Sequence, residues 1–130
     1  MTSALKNILC VDDDSNILDI VRLSLEKVGG FSVTACNDGQ SAVDKADEIN
    51  PDLIILDVMM PGLDGPSTLK RMRTNTKLDK IPVIFMTARV QSSEIEDYVK
   101  LGAAGVISKP FDPMTMPGEV ASIWKKFHNL

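Results

Sequence analysis

Three carboxylates in a row, Asp12, Asp13 and Asp14, follow directly on an apolar run that ends at Val11. Three more polar groups, Asp57, Thr87 and Lys109, each stand just after another apolar run. Taken singly, each has an ordinary explanation, because strand ends commonly carry polar residues that form turns or cap helices. Together they suggest chemistry. Carboxylates gathered from two segments into one crevice repel one another unless a hard cation sits between them. Mg2+ suits such a place, since it takes oxygen ligands, keeps several waters and accepts one or two protein carboxylates beside a phosphate oxygen. One carboxylate is then left over as a nucleophile. Aspartate accepts phosphoryl groups, and phosphoryl transfer depends mostly on positioning and on neutralising the charge of the moving group. A threonine hydroxyl can hydrogen-bond that group, and a lysine ammonium brings a compact positive charge to its oxygens. Asp12, Asp13, Asp57, Thr87 and Lys109 therefore make a complete set for an aspartyl-phosphate site. Asp14, with Ser15, is better placed to cap a following helix.

The elements that must hold these groups are legible as short apolar runs: "NILCV" (7–11), "DLIIL" (52–56), "PVIFM" (82–86) and "GVIS" (105–108), with a weaker one at "FSVTAC" (31–36). Most are continuous rather than alternating, as expected of strands covered on both faces in a parallel sheet. Segments of helical length begin near Ser15, Gly39, Pro66, Ser92 and Pro113. Gly29-Gly30, Asn50-Pro51 and Gly102 are the stop signals for the first, second and fourth, and Pro66 fits the first turn of the third. In the first helix Ile17, Val21 and Val28, with Ile20 and Leu25 beside them, read as the face turned to the sheet. Five βα units imply an open, doubly wound sheet, and such sheets bind ligands beyond the carboxyl ends of their strands. Those ends are where the polar groups stand.

With those residues in view, the chain resembles the response-regulator receiver domain, the phospho-accepting half of two-component signalling. The segments that carry the likeness are "ILCVDDDSN", "PDLIILDVMMPGLDG", "IPVIFMTAR" and "GAAGVISKPF", in the family's order and at about its spacing. The resemblance implies a flavodoxin-like (βα)5 fold with a five-stranded parallel sheet in the order 2-1-3-4-5. It also implies that Asp57 accepts phosphate from a phosphohistidine on a sensor histidine kinase or histidine phosphotransfer protein. Asp13 would be the direct Mg2+ ligand, Asp12 would hold the metal's water shell, and Asp57 with the backbone carbonyl of Met59 would complete the protein ligands. Thr87 would bind the phosphoryl group and Lys109 would pair with it, next to a cis Lys109–Pro110 bond. Arg89 resembles the family's variable positions that tune dephosphorylation. One position departs from the pattern: Val106 stands where the family usually has Tyr or Phe, so no large ring is present there to follow Thr87. Any output change is therefore expected to pass through the loop after Thr87 and the fourth helix, including Tyr98.

Composition narrows the rest. At 130 residues, one domain spanning 1–130, without a fused output domain, is expected. A net charge of -4 lacks the basic surplus that phosphate-backbone contacts demand, so direct nucleic-acid binding is not expected. Cys10 and Cys36 sit in apolar stretches and read as small core hydrophobes. His128, the only histidine, reads as a solvated helix-end residue, and Lys125 and Lys126 as favourable charges at a helix C-terminus. No apolar run reaches the ~20 residues of a membrane span, and the amino-terminal segment does not resemble a secretion signal, so a cytoplasmic protein is expected.

Three rival readings differ in class. A haloacid-dehalogenase-type phosphatase would use Asp12 and Asp14 as its acidic pair, but it leaves Asp57 without a role. A flavodoxin-like FMN protein needs a phosphate loop where three carboxylates stand. A phosphate-independent scaffold needs none of the set. The reading favoured is a self-phosphorylating signalling domain rather than a turnover enzyme, acting on a downstream protein target or passing its phosphoryl group onward.

Overall fold

The computed structural model describes residues 4–88 and 91–129. Five strands alternate with five helices: β1 (Asn7–Val11), α1 (Ser15–Leu23), β2 (Ser32–Cys36), α2 (Gly39–Ile49), β3 (Leu53–Asp57), α3 (Gly65–Arg73), β4 (Val83–Thr87), α4 (Ser92–Lys100), β5 (Gly105–Ser108) and α5 (Met116–Phe127). All pairings are parallel and the sheet runs β2-β1-β3-β4-β5. This is the fold class and strand order that the resemblance implies. Every residue of β3 and β4 is buried, which is why those runs are apolar without alternation. Both strands extend one residue beyond their apolar runs, so Asp57 and Thr87 are the last residues of strands rather than the first of loops.

The sheet separates two apolar layers. On one face Leu9, Leu56 and Phe85 pack with Ala42 and Ala46 of α2 and with Leu69 and Met72 of α3. On the other, Ile8, Ile55 and Ile84 pack with Leu18, Val21, Val120 and Trp124 of α1 and α5. Cys10 and Cys36 are free thiols in different layers, and burial pushes both thiols up, as suits core hydrophobes.

Aspartates start three of the helices. Asp14 accepts from the N–H groups of Asn16 (2.9 Å) and Ile17 (3.4 Å), Asp38 from Ser41 (2.7 Å) and Asp64 from Ser67 (2.8 Å). Each satisfies amide groups that a helix start leaves without partners. The stop signals also hold: Asn50 ends α2 in the left-handed region at φ 48°, while Gly30 and Gly102, past the ends of their helices, take φ 75° and 107°. Pro66 lies in the first turn of α3.

Three sequence expectations fail along the first and last helices. In α1 the buried residues are Leu18 and Val21, continued by Leu25, whereas Ile20 and Val28 are exposed and Ile17 is only half-buried. For Val28 the cause lies in residues Ser24–Val28, which form a π-helical turn in which the Gly29 N–H bonds the Ser24 carbonyl at 3.1 Å, five residues back; Ile20, ahead of that turn, stands on the solvent-side margin of the α1 stripe. The wider turn carries Val28 off the stripe that a continuous α-helix would give it. The last helix begins at Met116 rather than near Pro113, because Asp112 first closes a turn with its carbonyl and its side chain, which accepts from the Met114 N–H at 2.9 Å. At the other end of α5, Lys125 and Lys126 occupy the last turn as read, but His128 is half-buried, its ring 4.5 Å from that of Trp124.

Two substitutions check the local reading. Gly118 lies in the first turn of α5 with open space where a Cβ would go, so Gly118→Ala should raise stability by about 0.5 kcal/mol, the low end of the cost of a helical glycine. Asp14→Ala should lower it by about 1 kcal/mol through loss of the α1 cap. Urea unfolding midpoints at constant slope measure both.

Candidate functional site

The order β2-β1-β3 places the reversal of winding between β1 and β3, so a crevice opens beyond their carboxyl ends. Asp12 and Asp13 follow β1, and Asp57 ends β3. Thr87 ends β4, and Lys109 follows β5. The topology alone therefore brings groups that are far apart in sequence to one edge. Asp12, Asp13, Asp57, Met59, Thr87 and Lys109 all line a single cleft of about 310 Å3, together with Asp14, Ile17 and Ala88.

Two of the carboxylates lie deep. Asp12 and Asp57 are 3% and 4% exposed, while Asp13 stands at the mouth. The Lys109 ammonium reaches between the buried pair, donating to Asp12 Oδ2 at 2.7 Å and to Asp57 Oδ1 at 3.0 Å. Burial alone would lower the lysine, but the bonds to the two carboxylates outweigh it and hold its pKa above the ordinary value. For Asp57 the balance runs the other way. Burial, helped by the charges of Asp12 and Asp13, pushes its carboxyl up to about 6 against the pull of the Lys109 hydrogen bond and charge.

Local backbone contacts fix these groups. Asp12 is held at its amide by the Cys36 carbonyl of β2 (3.2 Å), and its Oδ1 accepts from the Asp14 N–H (2.9 Å). The Lys109 N–H donates to the Thr87 carbonyl (2.9 Å), so the lysine and the threonine are set relative to each other through main chain. Thr87 is 3% exposed. The Lys109–Pro110 peptide is cis, as the resemblance implies.

The donor set fits a hard divalent cation. One ligand oxygen from each of Asp12, Asp13 and Asp57 lies within 4.8 Å of the others, close to the span of about 4 Å across an octahedral Mg2+. Three carboxylates against one ammonium also leave the cluster net negative, which favours a cation over an anion. Met59 lines the same cleft, largely exposed. Asp14 is different: its carboxylate is turned back onto α1 as a cap, which removes the Asp12/Asp14 pair that a haloacid-dehalogenase-type phosphatase would need.

Val106 pairs with Phe85 across β4 and β5, and it is Tyr98 of α4 that lays a ring edge-on against Phe85, with centroids 5.4 Å apart. Arg89 lies outside the described residues. Ile17 and Ala88 also wall the cleft, and nothing in their side-chain chemistry marks them; only their places, in the first turn of α1 and directly after β4, could have.

Comparison with known proteins identifies the family and the fold. The family model described as "Response regulator receiver domain" matches residues 8–121. The chain is 36% identical over 121 residues to the transcriptional regulatory protein CseB of Streptomyces coelicolor, covering 93% of this chain and 50% of that protein. It is 35% identical over 121 residues to the alkaline phosphatase synthesis transcriptional regulatory protein PhoP of Bacillus subtilis, covering 93% and 49%. The chain thus spans about half the length of these curated relatives. Among solved structures, the chemotaxis protein CheY4 of Vibrio cholerae superposes with a TM-score of 0.85 at 29% identity, over 92% of this chain and 99% of that one.

Two measurements follow from the electrostatics. Because the folded pKa of Asp57 lies above its ordinary 3.8, ionising it costs the metal-free fold stability as pH rises through 4 to 6. Asp57→Asn should therefore stabilise metal-free protein at pH 7.5, on the order of 2 kcal/mol. The gain should fade at pH 4, where the folded native residue is already protonated; denaturant midpoints at the two pH values read this. For the metal, Asp13→Asn should weaken Mg2+ binding by more than about tenfold while Asp14→Asn leaves it unchanged, as followed by calorimetric titration.

Proposed function

The chain belongs to the response regulator receiver domain family, and from that premise we propose that Asp57 is the residue that takes up the phosphoryl group. Receiver domains are the phospho-accepting signalling domains of two-component systems, and histidine kinases are the partners the family implies. The observation that carries the assignment is the geometry of Lys109. Its ammonium bridges Asp12 and Asp57 at 2.7 and 3.0 Å in a cleft that also holds Asp13, Met59 and Thr87.

In the proposed reaction an Asp57 carboxylate oxygen attacks the phosphorus of a phosphohistidine on a sensor kinase or phosphotransfer protein. The O–P bond forms as the P–N bond breaks, and the imidazole leaves with the electron pair. Raising the carboxyl to about 6 still leaves most of it ionised near neutral pH, so the nucleophile is present without a separate base. Lys109 holds that carboxylate in place beforehand, and its charge faces the phosphoryl oxygens as they arrive. Thr87 is assigned a hydrogen bond to the same group. Asp13, Asp12, Asp57 and the Met59 carbonyl would hold Mg2+, which supplies positive charge to the phosphoryl oxygens when bound.

For output, the ring against Phe85 is that of Tyr98, on a helix with no fully buried residue. A helix so lightly anchored belongs to the low-stability end of the molecule. We assign the response to phosphorylation to α4 and Tyr98 in place of residue 106, delivered to a downstream protein or followed by onward transfer of the phosphoryl group. Matched free and phosphorylated structures should differ in α4; superposable α4 helices would refute this route.

The site assignment is tested by incubating the protein with a small-molecule phosphodonor and Mg2+ and mapping the modified residue by mass spectrometry. One phosphoryl group on Asp57 is expected, lost with chelator and absent in Asp57→Asn. Labelling of Asp12, or labelling that persists in Asp57→Asn, would overturn the assignment. Absence of any labelling would favour a phosphate-independent scaffold.

A further inference from the structure

We infer that Gly65 is a positioning residue for the phosphoryl acceptor, an inference that rests on the reading of Asp57 as that acceptor. After β3 the chain makes the loop 58–64 and returns so that the first residue of α3 lies against the end of the strand it has just left. The Gly65 N–H donates to the Val58 carbonyl at 3.0 Å. A Cβ at Gly65 would stand 2.5 Å from the Asp57 carbonyl oxygen, 2.9 Å from the Val58 Cα and 3.2 Å from the Asp57 carbonyl carbon.

All three of those neighbours are backbone, so no side chain can swing aside to make room. The two peptide planes next to Asp57 also have little freedom. The Val58 N–H is tied to the Met86 carbonyl at 3.1 Å, and Asp57 pairs in register with Met86. Any side chain at 65 must therefore either lift α3 from its seat or tilt the Asp57–Val58 peptide. Tilting that peptide re-aims the Asp57 carboxylate and the Met59 carbonyl two residues on, the two groups that the proposed chemistry needs held. Glycine at 65 lets the helix start act as a stop behind the acceptor.

A second close approach separates this role from packing in general. A Cβ at Gly39 would stand 2.3 Å from Thr68 Oγ1 and 2.7 Å from the Leu63 carbonyl oxygen, so α2 too is pressed against the β3–α3 region. That contact touches neither Asp57 nor Val58. Gly39→Ala is thus the control for steric disturbance without re-aiming.

The experiment measures the rate of Asp57 labelling by a small phosphodonor, and Mg2+ affinity, for the unaltered chain, Gly65→Ala and Gly39→Ala. Rates are corrected for the folded fraction read from circular dichroism. Gly65→Ala should label more slowly by about tenfold or more, since a displacement of about 1 Å can cost a hundredfold, and should bind Mg2+ more weakly. Gly39→Ala should lose thermal stability and keep its corrected rate. Equal corrected rates for Gly65→Ala and the unaltered chain, or an equal loss in Gly39→Ala, would overturn the inference. If Gly65→Ala does not fold, it is repeated with Gly118→Ala added; a chain still unfolded there makes Gly65 a folding residue and likewise overturns it. Failure of the unaltered chain to label at Asp57 would instead sink the functional reading on which the inference rests.

Discussion

Two carboxylates almost shut off from water share one ammonium, and most of the molecule can be understood as the means of holding them there. Left alone, buried Asp12 and Asp57 would repel each other and each would pay for leaving solvent. Lys109 offsets part of that cost through two short bonds, but one positive charge cannot balance three acidic groups. Burial first, and then the charges of Asp12 and Asp13, keep the Asp57 carboxyl above its ordinary value in spite of Lys109. A centre of this kind is stable enough to fold and still short of positive charge. It is therefore suited to receive a divalent cation and a phosphoryl group, whose charges largely cancel.

The rest of the sheet serves that balance by fixing where the three participants emerge. Strands β1, β3 and β4 are apolar and two-sided, so their registers are set by packing on both faces. Slipping any of them by one residue would turn its apolar side chains to the wrong layer, and that penalty locks Asp12, Asp57 and Thr87 at the carboxyl edge. Lys109 reaches the same edge from β5, through the main-chain bond to Thr87.

Much of this was legible in the sequence because it depends on patterns that repeat along the chain. Continuous apolar runs marked buried parallel strands, and the polar residue after each marked the edge where a crevice opens. Asp14 could be told apart from its two neighbours because a helix start requires an acceptor there. What the sequence left hidden depends on contacts between segments far apart. Nothing in "DIVRLSLEKVGG" announces a π-helical turn, so Val28 reads as part of a buried face that it does not reach. The half-buried state of His128 comes from a ring contact with Trp124 one helical turn away, which a terminal position disguises. The Tyr98–Phe85 contact joins a helix to a strand and carries no local signature.

The π-helical turn has a consequence for how this chain is matched to others. A turn closed five residues back holds one residue more than its α-helical counterpart, so α1 can absorb an inserted residue internally while both of its flanks keep their places. The Ser24 hydroxyl, buried in that turn, bonds the Pro113 carbonyl in the segment that follows Lys109. Residues before and after Ser24 would then correspond to those of a relative with a regular helix at offsets differing by one. An alignment that places its gap in the connection to β2 would mispair the end of the helix beyond Ser24.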